Sequence, residues 1–284
     1  MGKKLLLGML TAGTLTAYSQ PISVYIEPFF TYINYSNSKI KKDGYSTTLY
    51  GFLSLQNGLH VFEGAYAYTH LNYKNNLSNW NENDYTISYT NYQLFPLYFK
   101  VGYHYIASPN THVSKDGNIY FADIGNIKRY AYNYGLFASY SSYRYKVSVK
   151  EFRPHVGFYR WLDYYRGFYY SLDATWINIS NPQNIGTTKK NYLSIQGGIT
   201  YFTPKYSIGG SLWLGQRVLM VDNGGFVVYN LKERYKYGIN LKGRYYLNRK
   251  ISVQLQLGLS QYKELETGKD VGVFTSTLSV GYSF

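Results

Sequence analysis

Along most of this chain, apolar residues recur at every second position. The clearest stretch pairs Ile251, Val253, Leu255, Leu257 and Leu259 with Ser252, Gln254, Gln256, Gly258 and Ser260 between them. Successive side chains of a β-strand point to opposite faces, so this alternation sets one face in an apolar medium and the other in a polar one. The same pattern runs through Leu97, Phe99, Val101, Tyr103 and Tyr105, through Tyr130, Tyr132, Tyr134, Leu136, Ala138 and Tyr140, through Tyr235, Tyr237, Ile239 and Leu241, and through Val280, Tyr282 and Phe284. Each segment is roughly nine to fourteen residues long, whereas soluble strands average about 5–6 and a tilted strand crossing a bilayer needs about 9–11. The intervening residues are Ser, Gly, Thr, Asn and Gln rather than a second hydrophobic layer. A β-sandwich buries its apolar faces against each other, but a membrane barrel turns them to lipid and keeps the polar set inside.

The punctuation between segments is of two kinds. Asn57-Gly58, Phe95-Pro96, Thr203-Pro204-Lys205 and Asn248-Arg249-Lys250 read as short turns. Residues 37–44, 74–84, 108–128, 181–190, 217–225 and 264–270 read as longer polar loops. Short turns at one end and long loops at the other are the habit of membrane barrels. The two kinds alternate forward from the N-terminus to Ser142 and backward from the C-terminus to Asn181, and residues 143–166 must absorb the difference. A tight outer turn at Arg153-Pro154 would make strands of 143–152 and 155–163 and give fourteen in all, an even number as closure needs. The expectation is an all-β fold, an antiparallel up-and-down transmembrane β-barrel of fourteen strands, with twelve as the alternative. Residues 20–284 form this one domain, with no boundary inside it.

The first nineteen residues have the form of a cleaved signal peptide. Lys3 and Lys4 supply the charged start, residues 5–17 the apolar stretch, and Ala17-Tyr18-Ser19 small residues at −3 and −1 of a cut before Gln20. The chain is thus expected to be exported across a bacterial inner membrane. The 284 residues include no cysteine, which excludes a disulfide framework, a thiolate zinc site, an iron–sulfur cluster and a lipid-modified N-terminal cysteine. No second long apolar run is present, so a helical membrane protein is excluded as well.

Tyrosine supplies 37 residues, an excess that ordinary soluble domains do not explain. Its ring is apolar and its tip polar, so both ends are satisfied at the level of lipid headgroups. Tyr32 and Tyr35, Tyr66 and Tyr68, Tyr103 and Tyr105, Tyr164 and Tyr165, Tyr169 and Tyr170, and Tyr245 and Tyr246 crowd the ends of candidate strands, which reads as an aromatic belt. Tyr98 and Tyr246 fall on the inward set and would fill a narrow lumen or offer stacking platforms to a sugar.

The chain ends Thr277-Leu278-Ser279-Val280-Gly281-Tyr282-Ser283-Phe284. This resembles the C-terminal recognition signal of bacterial outer-membrane β-barrel proteins: a final aromatic, another two before it, and a polar residue seven before the end. Ser279 stands where that signal more often has glycine. The resemblance implies an outer-membrane location, contact with outer-membrane lipid, and recognition of Phe284 by the barrel-assembly machinery. Leu212-Trp213-Leu214-Gly215, Arg234-Tyr235, Leu247, the run from Ser252 to Tyr262 and Phe284 are also laid out similarly to the YaiO-type barrel family, over the last quarter of the chain.

No catalytic group emerges. His104 lies near Ser108 and His112 near Ser114, but no carboxylate has the spacing to orient either histidine. There is no HExxH, and Asp222-Asn223-Gly224-Gly225 reads as a loop tip rather than a calcium loop, so neither metal nor cofactor is expected. Nucleic acid is not an expected partner, since no RNA-recognition signature is present and the chain is exported.

The formal net charge is +14. If lipid-facing parity is continued along each segment, Lys100, Arg144, Lys146, Lys150, Lys236, Lys242 and Arg244 point into the barrel, with Glu27 and Asp173 the few acidic partners on strands. A charge at the lipid midplane costs about 2–4 kcal/mol, which favours the inward choice. A wet basic lumen would favour anions. The expected function is a passive channel for small anionic or polar solutes. The alternatives are a non-conducting barrel acting in assembly, adhesion or surface architecture through its outer loops, and a soluble secreted β-protein binding sugars or nucleic acid through Tyr and Lys.

Overall fold

The structure, a computed structural model, describes residues 22–110 and 112–284, so the segment read as a signal peptide lies outside the described residues. The described chain forms β1 (Ile22–Ser36), β2 (Lys41–Leu55), β3 (His60–Tyr73), β4 (Trp80–Asn91), β5 (Leu97–Ala107), β6 (Gly117–Lys128), β7 (Tyr132–Ser142), β8 (Ser148–Trp161), β9 (Gly167–Ile179), β10 (Asn191–Phe202), β11 (Tyr206–Arg217), the two-residue strands β12 (Val221–Asp222) and β13 (Val227–Val228), then β14 (Glu233–Tyr246), β15 (Ile251–Glu264) and β16 (Asp270–Ser283). Fourteen of these close into one antiparallel barrel, each pairing with its neighbour in sequence and β1 with β16. β12 and β13 pair only with each other, inside the connection from β11 to β14. Closure satisfies every edge, which an open sheet in lipid could not do.

The alternation does the sorting. Phe30, Leu49, Ile87, Leu193, Ile208, Leu241 and Leu255 all lie exposed on the outer surface. That continuous apolar band would be an aggregation surface in water and is a solvation surface in lipid. Tyr66, Tyr85, Tyr120, Tyr134, Tyr140, Tyr237 and Tyr245 share the outer face, as a belt requires. Tyr35 and Tyr169, expected in that belt, have the opposite parity. Tyr35 packs inside against Tyr262, and Tyr169 against Tyr159 at 4.7 Å.

The count of fourteen is as expected, but the route to it differs at two places that cancel. Residues 117–128, read as part of a loop, are β6. Their inward set carries the buried Ile119 and Phe121 while their outward set includes Asn118 and Ala122, so polarity does not alternate in the lipid-facing sense. Conversely, Arg153-Pro154 is no turn but the middle of β8. Pro154 has no N–H to give, and pairing with β9 lapses between Phe152–Trp176 and His155–Asp173 before resuming in the same register. The outer connection there is residues 143–147 instead.

A third correction concerns β14. The ladder to β15 shifts by one residue between Tyr235 and Tyr237. That bulge turns Tyr235 inward, against Tyr229 at 4.9 Å and Tyr262 at 5.2 Å, while Tyr237 stays on the outer face. Inside the barrel, large side chains lie over glycines of neighbouring strands: Phe121 over Gly102, Tyr169 over Gly157, Trp213 over Gly238 and Tyr25 over Gly281. A Cβ at any of these glycines would collide with the ring, so the small inward residues are the floor on which the lumen aromatics rest.

Candidate functional site: an inward-folded loop in a charged lumen

Six turns of three to five residues join the strands at the end where both described termini lie, and seven connections of four to fifteen residues join them at the other. The longest, residues 218–232, does not stand out from the rim but folds into the barrel. Its first four residues, Val218, Leu219, Met220 and Val221, are all 0% exposed. They pack on inward side chains of the wall, among them Ile106, Ile119, Phe137, Val149, Ile177 and Tyr192. Wall positions that would otherwise carry polar residues are apolar here because they face this loop rather than water.

β12 and β13 form its hairpin, turning at Asn223–Gly225. Asp222 accepts from the Asn223 N–H at 2.8 Å, and Gly224 and Gly225 have φ of 63° and 100°, the left-handed region where glycine is needed. Gly225 lies against the ring of Phe121, which also covers Gly102 of the wall. The loop-tip reading of Asp222–Gly225 therefore holds, with the tip directed into the lumen.

Polar contacts fix the loop to distant strands. Arg153 Nη1 donates to Asp222 Oδ1 at 3.0 Å, and its guanidinium lies 4.5 Å from the Phe137 ring centroid. The Val221 N–H donates to Glu151 Oε2 at 2.8 Å. His104 Nδ1 lies 3.1 Å from the Gly225 carbonyl, and Asn230 donates to Glu82. At the tip, Phe226 meets Tyr50 edge-on at 5.4 Å and lies 5.0 Å from Lys100 Nζ. One connection thus bridges β11 and β14 to β2, β4, β5, β6 and β8.

Of the seven cations expected in the lumen, three are there. Lys100 is held by Glu63 at 2.7 Å, and that carboxylate also accepts from Tyr50 and Ser88. Arg244 pairs with Glu27 at 2.7 Å and reaches Tyr25 and Gln254, each at 2.8 Å. Lys242 faces inward between Gly209 and Gln256 of the flanking strands and is exposed, with no ion pair among the described residues. Lys236 sits at the β14 bulge near the long-loop rim and pairs with Asp270 at 2.7 Å. Arg144 and Lys146 belong to the 143–147 connection, where Arg144 pairs with Asp116 at 3.0 Å. Lys150 shares the outward set of β8 with Phe152 and Val156. Arg144, Lys146 and Lys150 are displaced by one cause, since parity counted as if 143–152 were a strand cannot survive a connection at 143–147, and Lys236 is displaced by the β14 bulge.

The inward carboxylates are more numerous than expected. Glu27 and Asp173 are inside, and so are Glu63, Glu82, Asp84, Asp123, Glu151, Glu233 and Glu264. Lys41, paired with Glu233, and the buried Arg153 and Arg217 are further inward cations. The sequence does hold the signal, because each carboxylate occupies the polar phase of its strand. The lumen is mixed in charge and mostly paired, and removing one partner of such a buried pair typically costs about 3–5 kcal/mol. Thr31, Ser171, Gln196, Ser211, Gln256 and Thr277, all inward and half-exposed, line a polar strip of wall on β1, β9–β11, β15 and β16.

Among the long-loop connections, His112 is fixed on both ring nitrogens. Trp80 Nε1–H can only donate, so His112 Nε2 at 2.6 Å is the acceptor, and Nδ1–H faces Ser114 Oγ at 2.7 Å. Burial pushes the imidazole down to about 4, so it is neutral at pH 7. In that tautomer His112 presents a proton, not a lone pair, to Ser114, and it gives the hydroxyl no base. An open cavity of about 370 Å³ lies alongside, lined by His112, Val113, Tyr145, Asn184, Lys232 and Glu266.

The fold is shared with solved outer-membrane barrels. A bacterial polysaccharide outer membrane secretin superposes with a TM-score of 0.56 at 8% identity, over 94% of this chain and 100% of that one. A Pseudomonas aeruginosa FadL homologue gives 0.53 at 9% identity, over 92% and 89%. The Pseudomonas putida toluene transporter TodX gives 0.52 at 7% identity, over 98% and 93%. At these identities the likeness is one of fold, that of bacterial outer-membrane β-barrels. No family model and no curated protein matches the chain, so the likeness to the YaiO-type family rests on the residues quoted for it alone.

Proposed function

We propose that this outer-membrane barrel is a passive channel for small polar solutes, that residues 218–232 narrow it, and that Lys242 gives it a preference for anions. The observation that carries the reading is Lys242: an inward lysine at membrane depth, unpaired and exposed inside the barrel, is tolerable only against water. Its cross-strand neighbours Gly209 and Gln256 leave it room and offer it no negative charge. The half-exposed Thr, Ser and Gln side chains near it are what a hydrated path requires. Lys100 and Arg244, held by carboxylates, contribute little to the preference. Lipid meets the outer apolar band, and Phe284, exposed beside Tyr282 with its N–H on the Val24 carbonyl at 3.0 Å, is available to the barrel-assembly machinery.

The test is single-channel recording in planar bilayers across a salt gradient. Stepwise conductance with an anion-leaning reversal potential is expected, moving toward cation preference in Lys242→Glu. Folded, heat-modifiable protein that never conducts would refute the channel, and a reversal potential unmoved by the substitution would refute the assignment of Lys242. A closed barrel acting through its outer loops is the second reading, favoured by the full burial of Val218–Val221 across the lumen. It expects no conductance and a partner crosslinked from residues 108–116.

A further inference from the structure

A run of polar side chains follows one side of the lumen. Register puts Tyr169, Thr200, Gly209, Lys242, Gln256 and Thr277 side by side on the inner face of β9, β10, β11, β14, β15 and β16. The row continues through Thr31, Ser46 and Thr69 of β1, β2 and β3. There Thr31 Oγ1 lies 2.9 Å from Thr277 Oγ1, and Thr69 Oγ1 donates to Ser46 Oγ at 3.0 Å. Barrel strands tilt, so a row that crosses them at right angles climbs the wall. This one starts at the third residue of β9, beside the turn 162–166, and reaches the fifth residue from the end of β3, beside the long-loop connection 74–79. It therefore runs from one mouth of the barrel toward the other.

A second inward row lies beside it on β9 to β11 and β14 to β16: Ser171, Gly198, Ser211, Asn240, Gly258 and Thr275. On these six strands the two rows hold hydroxyls, amides, glycines and Lys242, with Tyr169 at the short-turn end, and neither holds a carboxylate or a Leu, Ile or Val. Thr200 Oγ1 lies over Gly209, Ser171 Oγ over Gly198, and Asn240 Oδ1 and Thr275 Oγ1 over Gly258, where a Cβ would meet them. Glycine thus lets these oxygens lie along the wall. Among the described residues, Ser171, Thr200, Ser211, Asn240, Gln256 and Thr275 make no side-chain hydrogen bond, and all are half-exposed in the lumen. Of the inward carboxylates that flank the patch, Glu27 accepts from Arg244 and Ser279, and Asp173, one inward position beyond Ser171, stands opposite His155 of β8.

We infer that these two rows are the track of an acidic oligosaccharide, whose hydroxyls exchange hydrogen bonds with the Ser, Thr, Asn and Gln side chains while Lys242 takes a carboxylate. A hydroxyl both donates and accepts, and so does a side-chain amide, so such a row complements a polyol without fixing it in one pose. A compact inorganic anion needs converging charge, and here one ammonium stands in a long neutral row. Neighbouring strands are about 4.8 Å apart, close to the advance of one unit along an extended sugar chain, so successive units meet equivalent groups. At the short-turn mouth Tyr169 packs on Tyr159 at 4.7 Å, and its hydroxyl accepts from Asn133 Nδ2 at 3.2 Å. Both rings are half-exposed, an apolar surface with polar groups at its edge on which a sugar ring stacks. The inference rests on the channel reading and names the solute class of that channel.

The folded barrel, in a polyoxyethylene detergent free of sugar headgroups, is titrated calorimetrically with three probes. Trigalacturonate has hydroxyls and carboxylates, maltotriose the hydroxyls alone, and tricarballylate the carboxylates alone. Trigalacturonate is expected to bind, maltotriose about tenfold more weakly, and tricarballylate not measurably, since a charge-assisted hydrogen bond is worth about that factor. K242Q should bring trigalacturonate down to the affinity of maltotriose and leave maltotriose unchanged. T200V/S211A/T275V removes hydroxyls that bond to nothing in the barrel and should weaken both sugars about tenfold. T47V/S276A, on the lipid face, should keep the parent's affinities. All variants are compared as heat-modifiable barrels. No binding of trigalacturonate, equal binding of tricarballylate or maltotriose, parental affinity in K242Q or in the hydroxyl variant, or an equal loss in the lipid-face control would each overturn the inference. The titration needs no current, so conductance without sugar binding overturns the inference and leaves the channel, while binding without conductance overturns the channel and leaves the sugar site.

Discussion

The seating of residues 218–232 is open to direct perturbation through Leu219→Ala combined with Met220→Ala. Both side chains are fully buried, and both pack on the inner wall rather than forming part of it. Truncating a buried Leu or Met to Ala costs about 2–5 kcal/mol each. The two are adjacent and their effects need not add, so about 4 kcal/mol for the pair is a conservative figure. At about 1.4 kcal/mol per decade, that moves the equilibrium between seated and unseated loop by roughly a thousandfold. The barrel ladders are untouched, since neither residue belongs to a strand. The remaining attachments, Arg153 to Asp222 and Glu151 to the Val221 N–H, are polar and lose their dry surroundings as the loop lifts. Planar-bilayer recording should show a larger conductance step, or openings where the parent is silent. Ile195→Ala, equal in kind but on the lipid face, should leave the current unchanged. A double variant that is heat-modifiable yet conducts as the parent does would refute the argument that this loop sets the bore.

Two further perturbations read other parts of the same design. Gly225→Val should loosen the loop tip, because φ of 100° costs an L-residue about 1–3 kcal/mol and the added carbons would enter the Phe121 ring; Gly243→Ala, where a Cβ meets nothing within 4 Å, should be neutral in the same recordings. His112 has a folded-state value of about 4 against 6.5 for the free side chain, so the unfolded loop binds the proton more readily, and the stability it contributes is present above pH 6.5 and lost as pH falls through 4. With Trp161, Trp176 and Trp213 replaced by Phe, Trp80 emission should change with a midpoint near pH 4, and that change should be absent in His112→Gln.

Much of this molecule is written in its alternation. Ile251 to Tyr262, Val280 to Phe284 and Leu97 to Tyr105 have their lipid-facing and lumen-facing sets where period two puts them, because the bilayer acts on every strand alike and needs no knowledge of the partner. The short turns, Lys100, Lys242, Arg244 and Glu27 follow from the same rule. Parity is a local count, however, and one misplaced connection inverts it. Lys150 lies on the face opposite to its local count for that reason, and Tyr235 changes sides at its bulge.

The interior of the long-loop half comes from packing across the barrel rather than from local alternation. Ile119 and Phe121 are apolar on the inner face because residues 218–232 cover them, and nothing in the sequence of β6 announces that cover. The carboxylates Glu63, Glu82 and Glu151 stand in plain view on the polar phase, but their partners Lys100, Asn230 and the Val221 N–H arrive from 37, 148 and 70 residues away. The sequence alone determined that this chain makes a barrel with an apolar outside, because lipid solvates each residue independently. Whether its inside is bare, paired or crossed by a loop depends on which distant segments meet there, and that is a property of the closed ring.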